Sequence, residues 1–280
     1  MIKRLIAGTK RAFGLHHPGR HLDVFPDDTF LVSYPKSGNT WTRFLVANLV
    51  YPTKNPDFSN INELIPDPEA LTKRHLKVLP RPRILKSHQY FDPRYERVIY
   101  IVRDPRDVVL SEYHFQIKRS VIGEDFPLAE FVTRFLTNQL GQPYGNWYEN
   151  VGSWCFTRRN HPGFLLVRYE ELQSQPVPEM AKIAKFLGVL ADPTSLSFAI
   201  EQSSADRMRE LERRQAHLWS STKETRLDKP FVREAKAGGW RTELPEHCLA
   251  RIEMAWGGLM TSLGYELATP ALIESSVGSQ

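Results

Sequence analysis

Cysteine is scarce in this chain of 280 residues: Cys155 and Cys248 are the only two. They stand too far apart to suggest a metal-ligand spacing or a disulfide framework, and buried thiols in a reducing, cytoplasmic compartment are the expectation. Long apolar runs are missing as well. No stretch approaches membrane-spanning length, and the basic, partly apolar start MIKRLIAGTKRAFGLHH has neither the apolar core nor the cleavage site of a secretion signal. Residues 1–27 are therefore read as a frayed leader. The chain also lacks the triphosphate-binding loop GxxxxGK[ST], any internal repeat and any domain boundary. One domain over residues 28–265 is expected, followed by a disordered tail over 266–280.

Neither sign of charge is in short supply: 37 lysines and arginines against 32 aspartates and glutamates leave a net charge of +5. That balance suits a small anionic ligand, nucleic acid or a membrane surface, so the placement of the charges has to decide. The informative stretch is Thr29–Trp41, TFLVSYPKSGNTW. Thr29 to Val32 reads as a buried strand ended by the breakers Pro35 and Gly38. From about Asn39, the residues Phe44, Leu45, Asn48 and Leu49 recur at helical spacing from Trp41. The loop Tyr34–Gly38 thus presents backbone N–H groups at a helix N-terminus, where unpaired amides and the helix dipole attract anions. Lys36 adds a full charge, and Ser37, Asn39 and Thr40 add hydroxyl or amide donors. A strand-to-helix turn with a solvated lysine is the alternative reading of this loop taken alone.

Residues 51–82 read as a surface excursion with short helices. Apolar runs at Arg83–Ser87, Arg97–Val102 and Gly163–Arg168 supply three more strands. Pro105 suits the first turn of a helix that Asp104 caps, and further helices are expected over 128–140, 147–157, 182–187, 192–211 and 245–263. Strands alternating with helices imply an α/β fold with a parallel sheet covered on both faces. Ligands in such sheets bind beyond the carboxyl ends of the strands. There the chain places Lys36, then Lys86 and His88, then Arg103, then Tyr169, which is the pattern of an anion site with an acid/base group. The segment 220–239 is irregular and basic and reads as a lid supplying Arg233 and Lys236, with glycines at Gly238 and Gly239 that let the backbone approach.

With those residues in view, the chain resembles the cytosolic-type sulfotransferases, which move a sulfuryl group from 3′-phosphoadenosine-5′-phosphosulfate (PAPS) to a hydroxyl or amine. The resemblance runs from about Asp28 to Leu263 and rests on YPKSGNTW, LKSH, IVRDPRDVVLSEYHF, RYEEL and FVREAKAGGWR, in the family's order. It implies a single-domain, P-loop-like fold, no metal, PAP as product, a small-molecule acceptor and no nucleic-acid partner. It implies that Lys36 bridges phosphate and sulfate while Ser37, Gly38, Asn39 and Thr40 wrap the 5′-phosphate, and that Arg103 and Ser111 hold the 3′-phosphate. Trp41 would stack on adenine beside Tyr169, and the lid would add Arg233, Lys236, Ala237 and Gly238. Lys36, Lys86 and His88 would carry the chemistry, with His88 as general base. Aromatic and apolar residues within 56–83, at Tyr90 and Phe91, and within 112–147 would build the acceptor pocket and favour a small, lipophilic acceptor. Departures from the family are Asn39 for threonine, Glu234 and Ala235 for lysine and glycine in the lid, Ala205 for an adenine-side phenylalanine, and no recognisable dimer motif, so the oligomeric state stays open. Two other readings remain: a metal-dependent kinase with Asp104 holding magnesium, and a basic module binding polyanions.

Overall fold

The four apolar runs form β1 (Thr29–Ser33), β2 (Ile84–Ser87), β3 (Arg97–Val102) and β4 (Phe164–Arg168) in the computed structural model, which describes residues 22–269 apart from 142 and 220. All pairings are parallel and the strand order is β2-β1-β3-β4. Thr29 lies opposite both Ile84 and Arg97, and Val98 lies opposite Phe164, so the strands finish along a common rim.

Side chains alternate across the sheet and each face acquires its own core. Phe30, Val32, Val98, Tyr100 and Val102 face one way. Against them pack α4 (Pro105–Lys118), α5 (Leu128–Leu136), α6 (Trp147–Arg158) and α12 (Glu246–Ser262). Leu31, Ile99 and Ile101 face the other way. They meet α1 (Asn39–Val50), α8 (Pro176–Leu187), α9 (Pro193–Gln202) and α10 (Ala205–Gln215). The excursion after α1 holds α2 (Ile61–Leu64) and α3 (Lys73–Val78), while α7 (Tyr169–Ser174) follows β4 directly and α11 (Trp240–Glu243) precedes α12.

Several expectations change. The helix expected over 192–211 is two helices, because Ser204 accepts from the Arg207 N–H and starts α10 afresh. The helix expected to reach residue 140 stops at Leu136, and Asn138 two residues on takes a left-handed φ of 56°. Residues 1–21 and 270–280 lie outside the described residues. Within the expected leader, however, Leu22 is buried in the core. Within the expected tail, Ala268 and Thr269 donate backbone N–H groups to Glu253, so the ordered domain runs past both expected boundaries.

Candidate active site

The loop after β1 turns through two left-handed residues, Lys36 at φ 66° and Gly38 at φ 91°, the latter capping α1. Only glycine fits at 38: a Cβ there would lie 2.5 Å from Cδ2 of Tyr169. The close approach seats the Tyr169 ring beneath the loop. Trp41 meets that ring edge-on at 5.6 Å between centroids and is anchored by its indole N–H to the Ser203 carbonyl at 2.9 Å. Ser203 also accepts, through its hydroxyl, from Asn48 of α1.

The Lys36 ammonium lies 3.8 Å from the ring centre of Phe115 and 4.7 Å from that of Phe231. Among the described residues no carboxylate lies within ion-pair distance of it. Burial pushes its pKa down to about 8, with Arg103, Arg119 and Lys118 adding to the effect and Glu112 opposing it. A lysine held this way is short of an anion. Arg103 stacks over Tyr169 with Cζ 4.4 Å from the ring centre and donates to the carbonyls of Lys36 and Lys236, leaving its buried Nε without a hydrogen-bond partner. The buried Ser37 hydroxyl is unpartnered in the same way.

Across the rim, His88 Nδ1 lies 2.7 Å from the Ser33 carbonyl. A carbonyl only accepts, so Nδ1 carries the proton and Nε2 keeps its lone pair. Burial and the charge of Lys86 push the imidazole pKa down to about 3, which keeps the ring neutral at every physiological pH. Lys86 itself pairs with Asp67 at 2.8 Å. Lys36, Lys86, His88, Arg103, Ser111 and Trp41 all line one cavity of about 550 Å³.

Comparison with known proteins fits this arrangement. The sulfotransferase domain model matches residues 26–264. The chain belongs to the sulfotransferase family. Sulfotransferase 1B1 of Mus musculus is 30% identical over 233 residues, covering 77% of each chain, and sulfotransferase 1E1 of Rattus norvegicus is 30% identical over 251 residues, covering 81% of each. The fold is shared with mouse sulfotransferase SULT7A1 complexed with PAP, at TM-score 0.69, 23% identity and 85% coverage of both chains. It is also shared with retinol dehydratase in complex with androsterone and PAP, at TM-score 0.69 and 20% identity, covering 89% of this chain and 84% of that one. The chain is thus a sulfotransferase, and PAP is the ligand bound in both of those structural neighbours.

The site of this sulfotransferase gathers groups able to meet such a ligand: a helix N-terminus, the cations Lys36, Arg103 and Arg233, and unpartnered donors at Ser37 and Arg103. Some expected residues do other work. The Asn39 side chain turns inward, its amide nitrogen donating to the Leu31 carbonyl and the Ser33 hydroxyl at 3.2 Å each, so those donors are taken up inside the protein. The Ala237 and Gly238 N–H groups are given to Gln173 of α7 at 2.8 Å and to Asp107 of α4 at 2.7 Å, which fasten the segment before α11. Those two residues therefore leave the set of candidate phosphate ligands. Arg233 lines the cavity but is paired with Glu243 at 2.8 Å, and Glu243 also meets His114 at 2.9 Å. Asp104 caps α4 and both its carboxylate oxygens accept from Arg106, so the group the kinase reading assigns to magnesium is already engaged. Phe91 packs on Trp154 in the core and Tyr90 bonds Glu149.

Sequence reasoning missed the aromatic walls of Lys36. One was readable, since Ser111, Phe115 and Arg119 follow at steps of four along one face of α4 and all line the cavity. Asp67 lies in the stretch 56–83 expected at the acceptor pocket and does line the cavity, but no spacing in that proline-rich excursion singles it out.

Proposed function

We propose that His88 is the general base of sulfuryl transfer and that Lys36 and Lys86 offset charge on the group in flight. The observation that carries this reading is the His88 Nδ1 contact with the Ser33 carbonyl at 2.7 Å, which leaves an unprotonated Nε2 on a ring that lines the cavity. Bound PAPS supplies an activated sulfuryl group. Toward it, the α1 N-terminus and Lys36 hold the 5′ side while Arg103, Ser111 and Arg233, with Lys236 at the lid, hold the 3′-phosphate. Arg233 must then exchange Glu243 for phosphate. Trp41, fixed by Ser203 and edge-on to Tyr169, serves as the adenine platform. In-line displacement asks for positioning and charge stabilisation above all, and the two lysines supply the charge.

The acceptor is a small alcohol, phenol or amine. Phe115 and Tyr144 give its space an apolar wall, in keeping with the lipophilic body expected from the sequence, and androsterone is bound in one structural neighbour. Glu112, Asp67 and Arg119 add a polar side that a purely lipophilic acceptor would not use. Free, buried Cys155 and Cys248 suit a cytoplasmic setting.

The test is transfer of labelled sulfate from PAPS to an acceptor panel by the wild type and by His88→Ala. Loss of a general base should cost about 10² to 10⁴-fold in kcat while PAP binding stays intact. Full turnover by His88→Ala would remove the base assignment.

A further inference from the structure

The excursion between α1 and β2 brings a carboxylate into the catalytic rim. Arg43 of α1 reaches across with Nη2, donating to the carbonyls of Ile61 and Ile65 and to Asn62 Oδ1 at 2.9 Å, and so pins the segment that follows α2. The next carbonyl, that of Pro66, accepts the Lys86 N–H at 2.8 Å and lies along the open edge of β2. Asp67 is thereby fixed beside the strand, with Oδ2 2.8 Å from the Lys86 ammonium. Burial pushes the Asp67 carboxyl up, but Lys86 and Arg43 more than offset it and hold it below its ordinary value. The carboxylate is therefore ionised, and it lines the same cavity as Lys86 and His88.

We propose that Asp67 is a positioning residue for sulfuryl transfer: it holds the Lys86 ammonium at the rim and supplies the negative charge that offsets the imidazolium formed at His88 when the acceptor proton is taken. The proposal rests on the roles given above to Lys86 and His88. The groups facing His88 make the need plain. Lys86 and Arg43 are cations that oppose a second positive charge on the ring, the Ser33 carbonyl favours it through Nδ1, the Tyr144 ring lies 5.5 Å away, and Asp67 favours it by its charge. A base flanked by two cations accepts a proton poorly without such a counter-charge. The proton moves from the acceptor hydroxyl to Nε2 as the acceptor oxygen bonds to sulfur and the bond from sulfur to the 5′-phosphate oxygen breaks, so no further reactant is required.

Asp67→Asn, Asp67→Glu, Lys86→Gln and the double variant Asp67→Asn/Lys86→Gln would be compared by kcat per PAP-binding site, by KM for donor and acceptor, and by calorimetric PAP affinity. Counting PAP sites removes unfolded protein from each rate. Asp67→Asn should lose about 10 to 100-fold in kcat with PAP affinity within about threefold, a cost in the range of one charge-assisted contact. Asp67→Glu should recover most of the rate. In the Lys86→Gln background the further loss should shrink, since contacting residues are not additive. A kcat for Asp67→Asn equal to or above that of the wild type overturns the proposal, as does full additivity in the double variant. A wild type that binds no PAP would instead defeat the reading of the site itself.

Discussion

Burial acts on Lys36 and His88 in the same direction and leaves them with opposite uses. His88 is held neutral, at a pKa of about 3, the form the proposed general base has to be in before it takes a proton. Lys36, at about 8, keeps its charge at neutral pH but surrenders it readily. An anion arriving beside Lys36 favours the charged form, so binding restores the proton. We expect PAP affinity to fall as pH rises through about 8, and PAP binding near that pH to take up protons; calorimetry in buffers of differing ionisation enthalpy measures the uptake. Proton-neutral binding at pH 8 would show that Lys36 does not meet the phosphates. At this scale the sequence was generous about which residues follow each strand and silent about their partners. That Lys36, His88, Arg103 and Tyr169 gather at one rim follows from strand order. That Asn39 turns inward or that Lys86 meets Asp67 depends on packing between segments distant in the chain.

Among the elements, the segment between α10 and α11 stands out because it has no helix or strand in its described part and yet is fastened at many points. Glu212 accepts from the Phe231 and Val232 N–H groups, Arg209 donates to the carbonyls of Val232 and Arg233, and Gln173 and Asp107 hold residues 235–240. Lys118 closes the other end, donating to the carbonyls of Arg226 and Lys229. The pegs come from α4, α7 and α10, which is why a sequence without apolar periodicity still takes a defined path. Ala235 holds φ at 54°, a conformation that costs a non-glycine residue roughly 1 to 2 kcal/mol and that the surrounding bonds impose. Asp107→Asn should loosen the segment: losing a charge-assisted contact, worth about 1.5 to 3 kcal/mol, raises its open population by about tenfold or more. Limited proteolysis should cut within 221–239 correspondingly faster, with a higher KM for the donor. Unchanged cleavage would mean that Asp107 is not one of the fastenings.

For the whole molecule, the sheet and its two cores were legible because parallel strands buried on both faces leave continuous apolar runs, and each of the four runs became a strand. Helix ends were less legible. Ser203 and Ser204 interrupt what periodicity reads as one helix, and the reason, the hold of Ser203 on Trp41 and Asn48, comes from another part of the chain. The same tertiary placement sets the acid behaviour of the fold. The native state resists protonating His88 until about pH 3, whereas an unfolded chain takes that proton near 6.5. The unfolded state therefore binds more protons across this window, and stability falls as pH drops from about 6.5 to about 3. Asp67, whose native pKa is lowered, withdraws its contribution only below the ordinary aspartate range. Urea unfolding at a series of pH values should show a shallower decline between 6.5 and 4 for His88→Gln than for the wild type. Identical slopes would mean that His88 is not buried neutral.

The two rings beside Lys36 belong to different parts: Phe115 rides on α4, and Phe231 rides on the fastened segment. If that segment swung away, one wall would depart with it and water would reach the nitrogen, which would then keep its proton to higher pH. The open protein would consequently attract a phosphate-bearing ligand more strongly than the closed, empty one. Shut on its ligand, it would retain that charge because the anion would take the water's place.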